Sequence, residues 1–94
     1  MIHINQTRTF AKVVKKLHTN QKQALDQAVK TIIENPSIGD MKAGDLAGVQ
    51  VYKFKMLHQL TLLAYTYDDN SQQITLTLLA LGSHENFYRD LKKS

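Results

Sequence analysis

The stretch that decides the fold is VQVYKFKMLHQLTLLAYTY, residues 49–67. It divides into two runs rich in β-branched, aromatic and leucine side chains, residues 49–56 and 60–67, with only residues 57–59 between them. Side chains of these types favour a pleated, half-buried surface. Two such runs joined by a short connection predict an antiparallel β-hairpin.

A third extended run follows the hairpin at residues 73–81, after the turn-forming sequence DDNS at residues 68–71. The three runs together predict an antiparallel meander. Gly82 breaks the last run, and Ser83 is suited to cap a terminal helix that runs to about residue 93. Phe87, Tyr88 and Leu91 give that helix an apolar side.

The N-terminal third has a different period. Residues 1–5 alternate between apolar and polar side chains, which predicts a short strand at a sheet edge. From residue 7 the apolar side chains recur at helical spacing, which predicts an amphipathic helix over residues 7–18 with Thr7 as its N-cap.

A second helix follows closely and completes a helical hairpin. Asn20 is suited to cap it, and its apolar stripe ends at Glu34, because Asn35 precedes a proline and is pushed out of the helical region. The stretch from residue 36 to residue 48 contains three glycines and little periodicity, which predicts one long loop.

Length and composition limit the possible classes of protein. A chain of 94 residues forms one domain, residues 1–94, and 43% hydrophobic with 21% charged residues is typical of globular proteins. The absence of cysteine excludes a disulfide framework, a thiolate nucleophile and a cysteine zinc site. No apolar run is long enough to span a membrane, and no signal peptide is seen, so we expect a cytoplasmic protein. The predicted class is α+β: the helical hairpin packs on a mainly antiparallel sheet of three or four strands, closed by the C-terminal helix.

The net charge of +4 is concentrated at one end of the chain. Residues 1–35 contain six Lys/Arg against two acidic residues, Asp26 and Glu34. The first helix carries Arg8, Lys12, Lys15 and Lys16 on its polar side. Such a face either contacts a nucleic acid or an acidic partner, or is simply solvated.

The pairing of the strands determines which side chains share a face. If the two turns centre near His58 and Asn70, Lys53 lies opposite Leu63 and then Thr77. One face is then apolar and receives the helices: Tyr52, Phe54, Leu60, Leu62, Ala64, Ile74, Leu76, Leu78 and Ala80. The other face is mixed: Val51, Lys53, Lys55, Thr61, Leu63, Tyr65, Thr75, Thr77, Leu79 and Leu81. Apolar and cationic groups on one surface are typical of a binding face. The alternative is that the terminal helix covers part of this face.

Lys53 and Lys55 are the strongest candidates for chemistry in the hairpin. They are two residues apart on a strand, so their side chains leave the same face about 6.6 Å apart. Two ammonium groups at that spacing suit a phosphodiester and the charge that grows on it during cleavage. The alternative is structural, because lysines on a strand also discourage edge-to-edge association.

His84 follows the last predicted strand, at the start of the terminal helix. A helix N-terminus disfavours a cation and keeps the imidazole neutral, able to accept a proton near pH 7. Tyr88, one helical turn later, is suited to stack on a base or donate to a phosphate, or else to pack on the sheet. The four histidines show no metal-ligand spacing, so we expect neither a metal nor another cofactor.

The ordered motifs resemble those of one family. They are GDLAG at residues 44–48, VYKFK at 51–55, LLAY at 62–65 and LGSHENFYRDLKK at 81–93, preceded by two helices. The chain resembles the RelE/ParE superfamily of bacterial toxins, specifically its ParE-like branch, over almost its whole length.

This resemblance implies a toxin of a type II toxin-antitoxin pair that inhibits growth and is neutralised in a hetero-oligomer with a cognate antitoxin. Leu63, Tyr65 and Leu79 on the mixed face are then the expected antitoxin contacts. The favoured target is DNA gyrase, as in ParE-like toxins, and the alternative is cleavage of messenger RNA on the ribosome, as in RelE-like toxins. The two targets require different classes of protein, a binding inhibitor or a metal-independent endoribonuclease.

In the nuclease alternative, Lys53, Lys55, His84 and Tyr88 match the catalytic positions of the family. Two arginines of RelE have no counterpart here. Residues 60–67 contain no basic side chain, and the position after the last strand holds His84 and Glu85. Arg89 is a candidate substitute, although it lies a turn into the predicted helix.

Overall fold

The protein is an α+β domain with a five-stranded mixed sheet. The computed structural model describes residues 2–42, 44, 47–70 and 73–83. Their elements in chain order are β1 (Ile2–Gln6), α1 (Arg8–Lys15), α2 (Thr19–Glu34), β2 (Asp40–Met41), β3 (Gln50–Met56), β4 (Gln59–Asn70) and β5 (Gln73–Gly82). The strand order is β1-β5-β4-β3-β2, in which β1 runs parallel to β5 and every other neighbouring pair is antiparallel.

The predicted meander and N-terminal strand are confirmed, but the strand count of three or four is too low. β1 pairs along the outer edge of β5 and β2 adds two residues beside β3. β2 lies inside the predicted loop of residues 36–48. A strand of two residues, Asp40 and Met41, has no alternation to detect, because its existence depends on its partners Gln50 and Val51.

Helix α1 begins as its sequence predicts. Thr7 is the N-cap, and its hydroxyl accepts a hydrogen bond from the Phe10 N–H at 3.2 Å. The same hydroxyl donates to the carbonyl oxygen of Leu79 at 2.8 Å. The cap therefore also fixes the helix to β5.

Helix α2 ends at Glu34, as predicted, but begins earlier than expected. Its N-cap is His18, so the predicted cap at Asn20 is wrong. The side chain of Gln21 accepts the His18 N–H at 2.8 Å, which satisfies this donor at the helix start. The main contacts of α1 are with β5 and those of α2 are with β3, so each helix packs on the sheet and the predicted hairpin is corrected to two sheet-packed helices.

The register between β3 and β4 differs by one residue from the predicted one, and the register between β4 and β5 differs by four at Leu63, because Leu63 pairs with Leu81 instead of Thr77. The β3–β4 turn consists of Leu57 and His58 alone, so it centres between these residues rather than on His58. Lys53 therefore pairs with Leu62 instead of Leu63. A shift of one residue moves a strand's side chains to the opposite face, so the two faces of β4 are exchanged relative to the prediction.

The side chains of the sheet form two separate apolar clusters. Under the helices lies the main core: Phe10, Leu25, Ile32, Met56, Leu63, Tyr65, Leu76, Leu78 and Leu81. The opposite face, which we call the open face because neither α1 nor α2 packs on it, carries a smaller buried cluster of Val51, Leu62, Ala64 and Ala80, with Val49 and Leu79 against it. The β4–β5 ladder changes register between Ala64 and Tyr65, so Leu79 has no pairing partner on β4 and forms a β-bulge. Because of this bulge, β5 contributes side chains to both clusters.

Tyr65 links the sheet to the chain after α2. Its hydroxyl donates to the Pro36 carbonyl oxygen at 2.6 Å and accepts from the Gly39 N–H at 3.0 Å. Burial raises the pKa of this hydroxyl above its ordinary value of 10.0; the hydrogen bond from Gly39 opposes this shift, and nearby Tyr67 adds to it.

The predicted C-terminal helix lies outside the described residues. Within the described part of the chain, no helix is long and apolar enough to cross a membrane.

Candidate functional site

The structure brings Lys53 and Lys55 together on the open face of β3. Both side chains are exposed, whereas their neighbours Tyr52, Phe54 and Met56 point toward the helices. The alternation of the strand starts the two side chains on the same face, with their Cα atoms about 6.6 Å apart. The shared face of the two lysines agrees with their spacing in the sequence, and their role in a site stays a prediction.

The part of the hairpin nearest these lysines is cationic. Residues 49–67 include Lys53 and Lys55 but neither aspartate nor glutamate, whereas Asp68 and Asp69 lie at the far end of β4. An anion that approaches the turn end of this face therefore meets the two lysines before it meets either carboxylate of the hairpin.

The end of β5 lies close to the lysine pair. Lys53 is paired with Leu62, and Leu62 is paired with Gly82, so Gly82 is two strands away from Lys53, or about 10 Å. His84 follows Gly82 by two residues in the sequence. His84, Tyr88 and Arg89 themselves lie outside the described residues.

The basic face of α1 is not part of this arrangement. Arg8, Lys12, Lys15 and Lys16 are all exposed. Helix α1 packs through Phe10 on the helix-covered face of the sheet, so its cations lie on the opposite side from the lysine pair. The described residues thus present two separate cationic surfaces.

The three expected antitoxin contacts occupy different environments. Leu63 and Tyr65 have 0% of their surface exposed and belong to the main core, because the shifted register turns them toward the helices. Their predicted place on the mixed face is therefore corrected. Leu79 is half-buried against the open-face cluster.

Three residues at the tip of the hairpin, Leu57, His58 and Leu60, were not among the site residues predicted from the sequence. Leu57 and Leu60 are 48% and 47% exposed, and Leu60 pairs with Lys55 on the open face. Leu57 and His58 have φ angles of 52° and 78°, in the left-handed region. The available signal was the short connection, because a two-residue loop has positive φ at both positions only in the type I′ turn.

The described residues contain no group of three or more His, Asp or Glu side chains placed to hold a metal ion. The candidate site there consists of ammonium and apolar groups, which suit a polyanion with exposed bases.

Comparison with known families identifies the chain. Residues 4–92 match the family described as "ParE-like toxin of type II bacterial toxin-antitoxin system". The chain belongs to the ParE-like toxins. The match includes nearly every residue of the domain, so the resemblance to RelE/ParE toxins is confirmed. No curated protein matches the sequence of this toxin significantly.

Solved structures share the fold of this ParE-like toxin. A free-state mutant of the E. coli toxin RelE has a TM-score of 0.71 at 15% identity, covering 97% of this chain and 90% of its own. The YoeB/ParE toxin from Agrobacterium tumefaciens has a TM-score of 0.68 at 11% identity, covering 87% and 98%. The intact E. coli RelBE toxin-antitoxin complex gives 0.67 at 19% identity, covering 88% and 96%. These identities show a common fold and do not distinguish the targets.

Proposed function

We propose that this toxin cleaves messenger RNA on the ribosome and is neutralised by a cognate antitoxin. The observation that carries the proposal is the exposed pair Lys53 and Lys55 on the face of β3 turned away from the helices, within residues 49–67, which contain no acidic residue. In a gyrase inhibitor, favoured by the sequence resemblance, the two lysines would serve only to bind the antitoxin or to discourage edge-to-edge association. A nuclease needs them to stabilise charge on the scissile phosphate.

The proposed reaction is a transesterification within the RNA, in which a bond from phosphorus to the 2′-oxygen replaces the bond from phosphorus to the 5′-oxygen. The 2′-oxygen attacks the adjacent phosphorus and forms the new P–O bond, while the bond from phosphorus to the 5′-oxygen breaks. One proton leaves the 2′-hydroxyl and another reaches the departing 5′-oxygen, giving a 2′,3′-cyclic phosphate and a 5′-hydroxyl end. We assign the proton-accepting role to His84 and the charge-stabilising role to Lys53 and Lys55. Tyr88 is assigned to stack on a base, and Arg89 to assist with the phosphate.

Primer extension on a defined message in a purified translation system tests this function. New 5′ ends that require ribosomes are expected with the wild-type toxin, and both His84→Ala and Lys53→Ala are expected to abolish most of them. Lys30→Ala is the matched control, since Lys30 is an exposed lysine on α2. Intact message in the presence of a preparation that still arrests growth would overturn the proposal.

Inhibition of DNA gyrase is the second candidate. The ParE-like family match favours it, and so does β4, which lies between Lys53 and Gly82 yet has no basic residue over residues 60–67. A supercoiling assay with purified gyrase is the experiment that supports this candidate if the message stays intact.

For the antitoxin, we propose a partner that presents acidic and apolar groups to the open face. Lys53 and Lys55 provide the charge that such a partner complements, and Leu79 replaces the buried Leu63 and Tyr65 as an apolar contact. The RelBE complex among the structural neighbours supports a protein antitoxin. Co-expression with the adjacent gene product is expected to restore growth and yield a co-purifying complex.

A further inference from the structure

At the tip of the β3–β4 hairpin, two residues with large side chains adopt a backbone conformation that such residues disfavour. Leu57 has a φ of 52° and His58 a φ of 78°. The turn type that produces these angles favours Asn-Gly or Asp-Gly, because Cβ atoms crowd the backbone in the left-handed region. A leucine in this region is an outlier, and such strain is concentrated at functional sites.

The tip also exposes two large apolar side chains to water. Leu57 and Leu60 expose 48% and 47% of their surface. Strand pairing places Leu60 directly beside Lys55, two residues from Lys53 on the same face. The tip therefore joins apolar side chains to a pair of cations, with His58 between the leucines in sequence.

This combination suits a single-stranded nucleic acid better than a protein surface. Ammonium groups hold phosphates, and apolar side chains inserted beside a base disrupt its stacking. The cleavage chemistry requires such a disruption, because the 2′-oxygen must line up with the departing 5′-oxygen, and a stacked A-form strand does not hold these atoms in line.

We propose that Leu57 and Leu60 form an apolar wedge that unstacks an RNA base beside the phosphate held by Lys53 and Lys55. This inference rests on the proposed ribonuclease function. His58 is the second residue of the turn and adds a hydrogen-bond donor beside the wedge. The strained turn keeps a leucine, rather than a small turn-forming residue, at the point that meets the RNA.

Two variants separate the wedge from the fold. Leu57→Asn/His58→Gly installs the preferred turn and removes the wedge, and its melting temperature is expected to rise by about 4 °C or more. Its cleavage rate at saturating toxin is expected to fall about tenfold or more. Leu60→Thr keeps a strand-forming residue and is expected to lower the same rate. Met41→Thr is the control, because Met41 is 62% exposed on β2 and away from the hairpin tip.

A fluorescent base gives the direct readout. The probe is a message in the ribosomal A site that carries 2-aminopurine at the cleavage position and a 2′-deoxy sugar at the attacking nucleotide, so that cleavage is blocked. Wild-type toxin is expected to increase the fluorescence as the base unstacks. The turn variant and Leu60→Thr are expected to bind the ribosome without this increase, whereas Met41→Thr behaves like the wild type.

The possible results distinguish the two proposals. If the wild type cleaves the message and the tip variants cleave and unstack equally well, the wedge is overturned while the nuclease function stands. If the wild type does not cleave ribosome-bound message at all, the function and the wedge are both overturned. If the tip variants unstack the base as the wild type does but no longer bind the antitoxin, the tip serves a protein partner, which also overturns the wedge.

Discussion

Tyr65 is the residue on which the connection after α2 depends. Its side chain is fully buried, and its hydroxyl satisfies both the Pro36 carbonyl and the Gly39 N–H. Removing one partner of a buried hydrogen bond leaves the other without compensation for its lost solvation. The hydroxyl therefore stabilises this connection.

Tyr65→Phe is expected to lower the free energy of unfolding by about 1–3 kcal/mol, measured by urea denaturation. The aromatic ring stays in the core, so the loss isolates the two hydrogen bonds. Tyr67→Phe, at a half-buried neighbouring tyrosine, is the control and is expected to change stability by less than about 0.5 kcal/mol. Equal stability of the Tyr65→Phe variant and the wild type would contradict the role given to the hydroxyl.

The raised pKa of Tyr65 predicts a loss of stability at alkaline pH. The hydroxyl loses its proton more readily in the unfolded chain than in the folded one, so the stabilisation is complete below its ordinary pKa of 10.0 and decreases as pH rises above that value. Tyr65→Phe is expected to show a shallower decrease than the wild type in urea midpoints measured from pH 8 upward. Parallel pH curves for the two proteins would refute this assignment.

Gly39 is required for the close approach of this connection to the sheet. A Cβ atom at position 39 would lie 2.9 Å from the Tyr65 hydroxyl oxygen and 3.1 Å from the Val51 carbonyl carbon. Both neighbours are fixed by burial, so Gly39→Ala is expected to cost about 1–3 kcal/mol of stability. Thermal unfolding of Gly39→Ala in the wild-type and Tyr65→Phe backgrounds measures the effect, which is expected to be smaller in the second background because the crowded oxygen is absent.

At the scale of elements, Thr7 joins α1 to the irregular part of β5. Thr7→Ala removes both the cap to Phe10 and the hydrogen bond to Leu79, and is expected to cost about 1–2 kcal/mol. Thr7→Ser retains the hydroxyl and is expected to recover most of this loss. Chemical denaturation of both variants is the measurement, and a serine variant as unstable as the alanine variant would show that the methyl group, not the hydroxyl, matters.

The elements also show what sequence patterns can and cannot predict. Thr7 and Glu34 mark helix ends because capping and the effect of proline on the preceding residue act within a few positions. β2 was missed because its two residues form a strand only through distant partners. The faces of β4 were exchanged because one residue in the Leu57–His58 turn sets the register of a whole strand. The common face of Lys53 and Lys55 could be predicted, since their spacing within one strand does not depend on that turn, while their catalytic role stays a prediction.

At the scale of the whole molecule, the two cationic surfaces predict separable effects on ribosome binding and cleavage. Replacing Lys12, Lys15 and Lys16 by glutamine is expected to weaken ribosome binding. The slope of log affinity against log salt concentration is expected to become shallower by about 0.7–0.9 for each phosphate that the toxin no longer neutralises. The cleavage rate at saturating toxin is expected to remain unchanged, because these lysines lie on the opposite side of the sheet from Lys53 and Lys55.

The measurement is ribosome binding at several salt concentrations, together with single-turnover cleavage. Lys53→Ala/Lys55→Ala provides the comparison and is expected to reduce the saturated rate. If the variant with glutamine at Lys12, Lys15 and Lys16 instead has a lower cleavage rate at saturating toxin, the roles assigned to the two surfaces are reversed.

The parallel pairing of β1 with β5 has a consequence for synthesis of the toxin. Residues 2–6 leave a translating ribosome before the rest of this domain, yet their sheet partners are residues 74–78. The sheet edge therefore stays unfinished until nearly all of this domain has been made, and contacts between such distant residues form slowly. A chain released before Gln73 lacks the strand against which both β1 and α1 pack, so interrupted translation yields fragments without the folded toxin's working surface.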